Sequence, residues 1–162
     1  MTTRVLFVCL GNICRSPLGE GAAADVAHLA VKHGVAHRFE VDSAGTGGYH
    51  AGERADPRMR AVAADRGVTL TSRARQVQPG DFARFDHIVC MDESNRAALL
   101  DMGAPAQKVR LLLSFHPASS LAEVPDPYFG GAEGFETVYH LVHEACEELL
   151  DALHRQPRAQ GS

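Results

Sequence analysis

Val5-Leu6-Phe7-Val8-Cys9-Leu10-Gly11-Asn12-Ile13-Cys14-Arg15-Ser16-Pro17 is the stretch that decides the fold. Its first four residues form a continuous run of branched and aromatic side chains, the pattern of a strand buried on both faces. Cys9 to Arg15 make a short loop. Ser16-Pro17 then reads as an N-cap followed by proline at the first helical position. Leu18, Ala22, Val26 and Leu29 recur at helical spacing, so a helix is expected to about Lys32 or His33, with Gly34 as its stop. A buried strand that feeds a helix through a tight loop is the first half of a parallel crossover unit.

Outward from that unit the alternation continues. Phe39-Glu40-Val41-Asp42 reads as a second strand entering the glycine-rich loop Ser43 to Gly52. Asp56-Pro57 opens a helix ending near Gly67, and a short helical segment is expected around Pro79 to Phe85. His87 to Met91 reads as a strand, followed by a helix over Glu93 to Leu100 capped by Asp92. A fourth strand is expected over Val109 to Leu113. The stretch Ser114 to Gly131, with three prolines and two glycines, reads as irregular. The last helix, about 133–153, carries Phe135, Val138, Val142, Ala145, Leu149 and Leu153 on one face. Strands separated by helices imply right-handed crossovers and a parallel sheet covered on both faces, a small doubly wound α/β domain. Ligands of such folds sit beyond the carboxyl ends of the strands, where strand order reverses, and the Cys9 loop lies at one such end. A single domain over 1–155 is expected, with a frayed tail over 156–162.

The 162 residues suffice for one core, and 45% hydrophobic with 22% charged residues excludes disorder and coiled coil. No apolar run reaches the length of a membrane span, and the first residues are too short an apolar stretch for a secretory signal, so a cytoplasmic protein with no membrane partner is expected. A net charge of -4 gives no basic field for nucleic acid. Cysteines at 9, 14, 90 and 146 are too few and irregular for a disulfide framework, and free thiols are expected. A zinc site from Cys9, Cys14, His33 and His37 would have to cross the first helix, so no metal or other cofactor is expected.

The loop itself points to anion chemistry. Backbone N–H groups between a strand and a helix N-terminus can converge on an anion, and Gly11 and Asn12 tolerate the positive backbone angles such a curl needs. Arg15 adds a planar fork matched to two phosphate oxygens. The same field favours the thiolate form of Cys9, and Ser16 can donate a hydrogen bond to it. A Walker loop is excluded because its second glycine and lysine are missing, and Gly45 with Gly47 does not complete a dinucleotide fingerprint. What remains is a cysteine, five residues, an arginine and a serine.

That loop resembles the phosphate-binding loop of the low-molecular-weight protein tyrosine phosphatases. The likeness continues at Val41 to Thr46, Ala74-Arg75-Gln76, Cys90 to Asn95, and Asp126-Pro127-Tyr128 with Gly130, spanning about residues 4–150 in the family's order. The resemblance implies a central four-stranded sheet of order 2-1-3-4 and hydrolysis of phosphotyrosine or other aryl phosphates, releasing inorganic phosphate. Cys9 would attack phosphorus to form a cysteinyl phosphate. Arg15 and the loop from Leu10 through Gly11, Asn12, Ile13, Cys14 and Ser16 would bind the phosphate oxygens. Asp126 would be the general acid and base, a choice over Asp42, Asp56, Asp86 and Asp92 that rests on the family's D-P-[YF] motif alone. Asp92 reads as a helix cap. Asn12, Ser16 and Ser43 resemble residues that hold the loop curled, with simple turn capping the lesser alternative for Ser43. Ile13, Tyr49, Tyr128 and Phe129 match the substrate cleft, whose aromatic depth would favour phosphotyrosine over phosphoserine. Cys90 and Cys146 read as core thiols. Cys14 stands where oxidation could join it to Cys9.

Two positions depart from the family pattern. Ser72 stands where many members have a histidine that braces the loop, and Phe129 replaces a tyrosine beside Tyr128, which keeps one candidate phosphorylation site. Three rivals use similar loops. An arsenate reductase needs further mobile cysteines, a phosphoarginine phosphatase carries threonine at the position of Ile13, and a noncatalytic phosphate-binding module would be expected to lose its nucleophile or acid.

Overall fold

The opening apolar run forms β1 (Thr2–Cys9), in which every side chain from Val5 to Cys9 is buried. The computed structural model describes residues 2–35, 37–128 and 131–155. Along β1 the side chains alternate between two cores, as the period of a strand requires. Val5, Phe7 and Cys9 enter one, and Leu6 and Val8 the other. Full burial of a side chain such as Phe7 stabilises the fold by about 1.5–3 kcal/mol.

Two strands flank β1, both parallel to it. On one side β2 (Arg38–Gly45) pairs in a register that sets Cys9 opposite Gly45. On the other, β3 (His87–Cys90) sets Cys90 opposite Val8, and β4 (Val109–Leu111) extends the sheet to the order β2-β1-β3-β4. The chain therefore leaves β1 toward one edge and later returns to its other side. The reversal opens a crevice between the carboxyl ends of β1 and β3, and the Cys9 loop and Met91-Asp92 border it.

Helices cover both faces. The first core is closed by α1 (Arg15–Lys32), α2 (Pro57–Ala64) and α5 (Ala132–Arg155), through side chains such as Leu18, Met59 and Phe135. The second is closed by α3 (Pro79–Arg84) and α4 (Glu93–Asp101), through Phe82 and Leu99. The apolar face expected for the last helix is buried throughout.

Two local expectations change. Helix α1 starts at Arg15, with Cys14 in the cap position and no side-chain cap, so Ser16 lies inside the first turn. Its hydroxyl turns back to the loop instead of capping the helix. The fourth strand stops at Leu111, because Leu112–Phe115 tighten into a 3-10 turn that buries Leu112 and Leu113 against the first core. The expected tail over 156–162 lies outside the described residues.

Candidate active site

Accounting for carbonyls explains how the loop is shaped. The C=O of Cys9 accepts from Thr46 N–H at 2.9 Å, that of Leu10 from Gly47 N–H at 2.9 Å, and that of Ile13 from Asp56 N–H at 2.8 Å. All three carbonyls are thus drawn outward to neighbouring segments. In a trans peptide the N–H points opposite to its C=O, so the N–H groups of Leu10, Gly11 and Cys14 are turned the other way, into the cup. The curl is completed by Asn12, whose φ of 57° is the one positive value among the described non-glycine residues. Gly11 does not share that conformation. A Cβ there would stand 3.1 Å from His50 Cδ2, so a larger residue would require that ring to shift by a few tenths of an ångström.

Gly45 supports the loop from behind. A Cβ on it would lie 2.7 Å from the Leu10 carbonyl oxygen and 2.9 Å from that of Gly47. Backbone on both sides cannot yield cheaply. Gly45→Ala is expected to lower the melting temperature by roughly 5 °C and to weaken phosphate binding, read by thermal unfolding with and without phosphate. Unchanged melting and binding would show that the loop is not seated on this glycine.

Cys9 lies at the floor of the cup, 3% exposed. Its Sγ is 3.0 Å from Ser16 Oγ and accepts from Ser16 N–H at 3.4 Å. Asn12 Nδ2 donates to Ser16 Oγ at 2.8 Å, and Asn12 Oδ1 accepts from Arg75 N–H at 2.9 Å. Arg15 is also 3% exposed and is held on one side of its fork. Its Nη1 donates to Asp92 Oδ2 at 2.7 Å and to the Val124 carbonyl at 3.0 Å, and its Nη2 lies 3.6 Å from Asp126 Oδ2. Burial opposes its charge, but Cys9, Asp92 and Asp126 outweigh that and raise its pKa further. Cys14 is different: burial first, then Asp56, Cys9 and Asp126, push its thiol far above the ordinary range. It stays protonated at neutral pH and does not compete as a nucleophile.

The cleft above has a volume of about 200 Å³, and its walls include Leu10, Ile13, Tyr49, His50, Asp126 and Tyr128. Asp126 is tied to its own loop, with Oδ1 accepting from Tyr128 N–H at 3.0 Å. His50 and Tyr128 pack ring to ring at 5.9 Å. Tyr49 stands at the rim, 76% exposed. Phe129 lies outside the described residues.

The structure brings Cys9, Arg15, Asn12, Ser16 and Asp126 together, and separates Ser43 from them. The Ser43 hydroxyl donates to Glu20 Oε1 at 2.6 Å, so its side chain ties β2 to α1 and does not touch the loop. Ser72 also hydrogen-bonds Glu20, whose pKa is raised chiefly by burial. Asp92 does more than cap a helix: Oδ1 accepts from Asn95 N–H at 2.8 Å while Oδ2 holds Arg15. Capping alone accounted for that aspartate in the sequence, so no unexplained signal marked its second role. His50 and Arg75 were likewise missed as contributors, although Arg75 lay in a segment that carried the resemblance. A zinc arrangement is ruled out by distance, since the 18 residues of α1 put about 27 Å between Cys14 and His33. No described helix is long and apolar enough to cross a membrane.

Known proteins resemble this chain along nearly its whole length. A low molecular weight protein-tyrosine-phosphatase of Streptomyces coelicolor is 47% identical over the whole of both chains. The low molecular weight phosphotyrosine protein phosphatase of Homo sapiens is 39% identical, covering 94% of this chain and 97% of that protein. A crystal structure of a protein tyrosine phosphatase from Entamoeba histolytica superposes with a TM-score of 0.86 at 40% identity, over 96% of this chain and 97% of that one. The family model for low molecular weight phosphotyrosine protein phosphatase matches residues 4–159, and the chain belongs to that family.

Proposed function

We propose that this chain hydrolyses phosphotyrosine and other aryl phosphate monoesters in two steps at Cys9. The observation that carries the reading is the Cys9 sulfur at the floor of a cup whose carbonyls face outward, with the Arg15 fork anchored beside it. In the first step the thiolate attacks phosphorus in line, the bond to the aryl oxygen breaks, and the phenolate leaves with a proton from Asp126. Loop N–H groups and Arg15 bind the equatorial oxygens, where charge is spread in the transition state. In the second step the Asp126 carboxylate takes a proton from water, which attacks the cysteinyl phosphate. The S–P bond breaks, inorganic phosphate leaves, and the Ser16 hydroxyl and N–H receive the returning thiolate. The expected partner is a phosphotyrosine-bearing protein.

The rival chemistries fit less well. Resolving an arsenate adduct needs accessible further thiols, but Cys90 and Cys146 are fully buried, and burial pushes the Cys90 thiol up to about 12. Ile13 makes one cleft wall apolar, which suits an aromatic ring better than a guanidinium. A binding module has no use for an acid placed next to the anion site.

The test is a substrate panel of aryl phosphate and of phosphotyrosine, phosphoserine and phosphoarginine peptides. Phosphotyrosine is expected to exceed phosphoserine and phosphoarginine by about a hundredfold in kcat/KM, a difference of the size that pocket shape supplies. EDTA should leave the rates intact, because Arg15 and the amides supply the positive field. Equal rates on phosphoserine, or faster ones on phosphoarginine, would overturn the aryl assignment.

A further inference from the structure

The segment Ala74-Arg75-Gln76 takes no part in the steps above, yet the Arg75 main chain meets the back of the loop and its side chain fixes where that main chain lies. Its guanidinium grips Asp81 with both terminal nitrogens, at 3.0 and 3.1 Å, and reaches Asp42 on β2 at 3.1 Å. Its carbonyl accepts from Gly45 N–H at 2.8 Å, and its own N–H donates to Asn12 Oδ1. The side chain therefore pins residue 75 between β2 and α3, and the main chain closes onto the loop.

The direction of that last bond matters. A backbone N–H only donates, so the oxygen of Asn12 must face Arg75 and its NH2 must face Ser16. The amide then donates to Ser16 Oγ, which leaves the Ser16 proton for the sulfur at 3.0 Å, in preference to the Ala44 carbonyl at 3.4 Å. Were Asn12 flipped, its oxygen would draw the Ser16 proton away from Cys9. Asn12 and Ser16 are both buried, so no bulk water can take the amide's place against the Ser16 hydroxyl.

We propose that Arg75 is a positioning residue for the reaction, setting the donor direction of the hydrogen-bond chain that runs through Asn12 and Ser16 to the Cys9 sulfur. The proposal rests on Cys9 being the nucleophile. Ser72 hydrogen-bonds Glu20, and the contact with Asn12 comes from the Arg75 main chain, which the fork holds in place. Lysine cannot replace that fork fully, since a point charge holds one carboxylate where the guanidinium holds two.

The experiment compares wild type, Arg75→Lys and Arg75→Ala by steady-state kinetics on nitrophenyl phosphate, by thermal unfolding, and by the pH profile of iodoacetate alkylation, with the labelled residue located by mass spectrometry. In Arg75→Ala, kcat is expected to fall about tenfold, the loss of one hydrogen bond to a charged group, with KM within about twofold. Its Cys9 alkylation profile should move to higher pH, and Arg75→Lys should fall between the two. A lower melting temperature with an unmoved alkylation profile would reduce Arg75 to a structural residue and overturn the proposal, as would unchanged kcat. If Arg75→Ala does not fold, Arg75→Lys decides on the same measurements. Alkylation of wild type at Cys9 without loss of activity would instead refute the nucleophile itself.

Discussion

Cys9→Ser is expected to bring turnover to background, with kcat lower by roughly 10⁴-fold or more, while inorganic phosphate still binds within a few-fold of wild type. The two halves of this result come from separate parts of the site. Binding depends on the amides of Leu10, Gly11 and Cys14 and on the Arg15 fork, and their directions are set by the outward carbonyls and by Asp92, none of which the substitution touches. Attack depends on an anion at the floor. A serine hydroxyl there is far harder to ionise than a thiol, and Ser16 is arranged as a donor toward it, so no base is present to take its proton. Cys14 offers no second route, since its buried thiol stays protonated. Hydrolysis of nitrophenyl phosphate and calorimetric titration with phosphate measure the two halves. Residual activity within about tenfold of wild type would place the nucleophile elsewhere, and lost phosphate binding would show that sulfur is needed to keep the cup in shape.

Most of this geometry could be read from the chain because the decisive segment is local. The Val5 to Val8 run specifies a doubly buried strand, and the loop and helix follow within a few residues, so short-range rules suffice. The same holds for α5, whose apolar stripe is regular over 24 residues. Sequence and structure differ where a side chain has two possible partners. Ser16 reads as a helix cap by its neighbours, but Cys9 and Asn12, brought close by the curl, compete for the same hydroxyl. Ser43 reads as part of the loop, but α1 brings Glu20 within 2.6 Å. For Asp92 the local partner, Asn95 N–H, and the distant one, Arg15, are both satisfied, one on each carboxylate oxygen. The short β4 misled for another reason. Leu111 to Leu113 have the hydrophobicity of a strand, but burial of Leu112 and Leu113 is achieved by a turn that leaves the sheet. Long-range competition for a polar atom leaves no local pattern, and this is why the fold was more legible than the bonding within the site.

Asp126→Ala is expected to cut kcat on phosphotyrosine by about 10²-fold to 10⁴-fold, the usual range for a lost general acid, but to cost less than about tenfold on dinitrophenyl phosphate. The contrast follows from what leaves. The phenolate of tyrosine departs poorly without a proton, while a strongly activated phenolate departs unaided, so only the first reaction needs the acid. A second role for Asp126 competes with this one, because its Oδ2 lies 3.6 Å from Arg15 Nη2 and it could serve merely to hold the guanidinium. Anchoring argues otherwise. Arg15 already has Asp92 at 2.7 Å and the Val124 carbonyl at 3.0 Å, both on Nη1, and these persist when Asp126 is removed. The Nη2 contact is longer and its carboxylate is 40% exposed, on a loop tied by its own Tyr128 N–H, so an incoming dianion can take the guanidinium's free edge and release the carboxylate toward the leaving oxygen. Steady-state rates across a series of phenols of falling pKa separate the two roles. A loss that shrinks as the leaving group improves identifies the proton donor. A loss of equal size for every phenol, carried in KM, would assign Asp126 to holding Arg15 and leave the reaction without its acid.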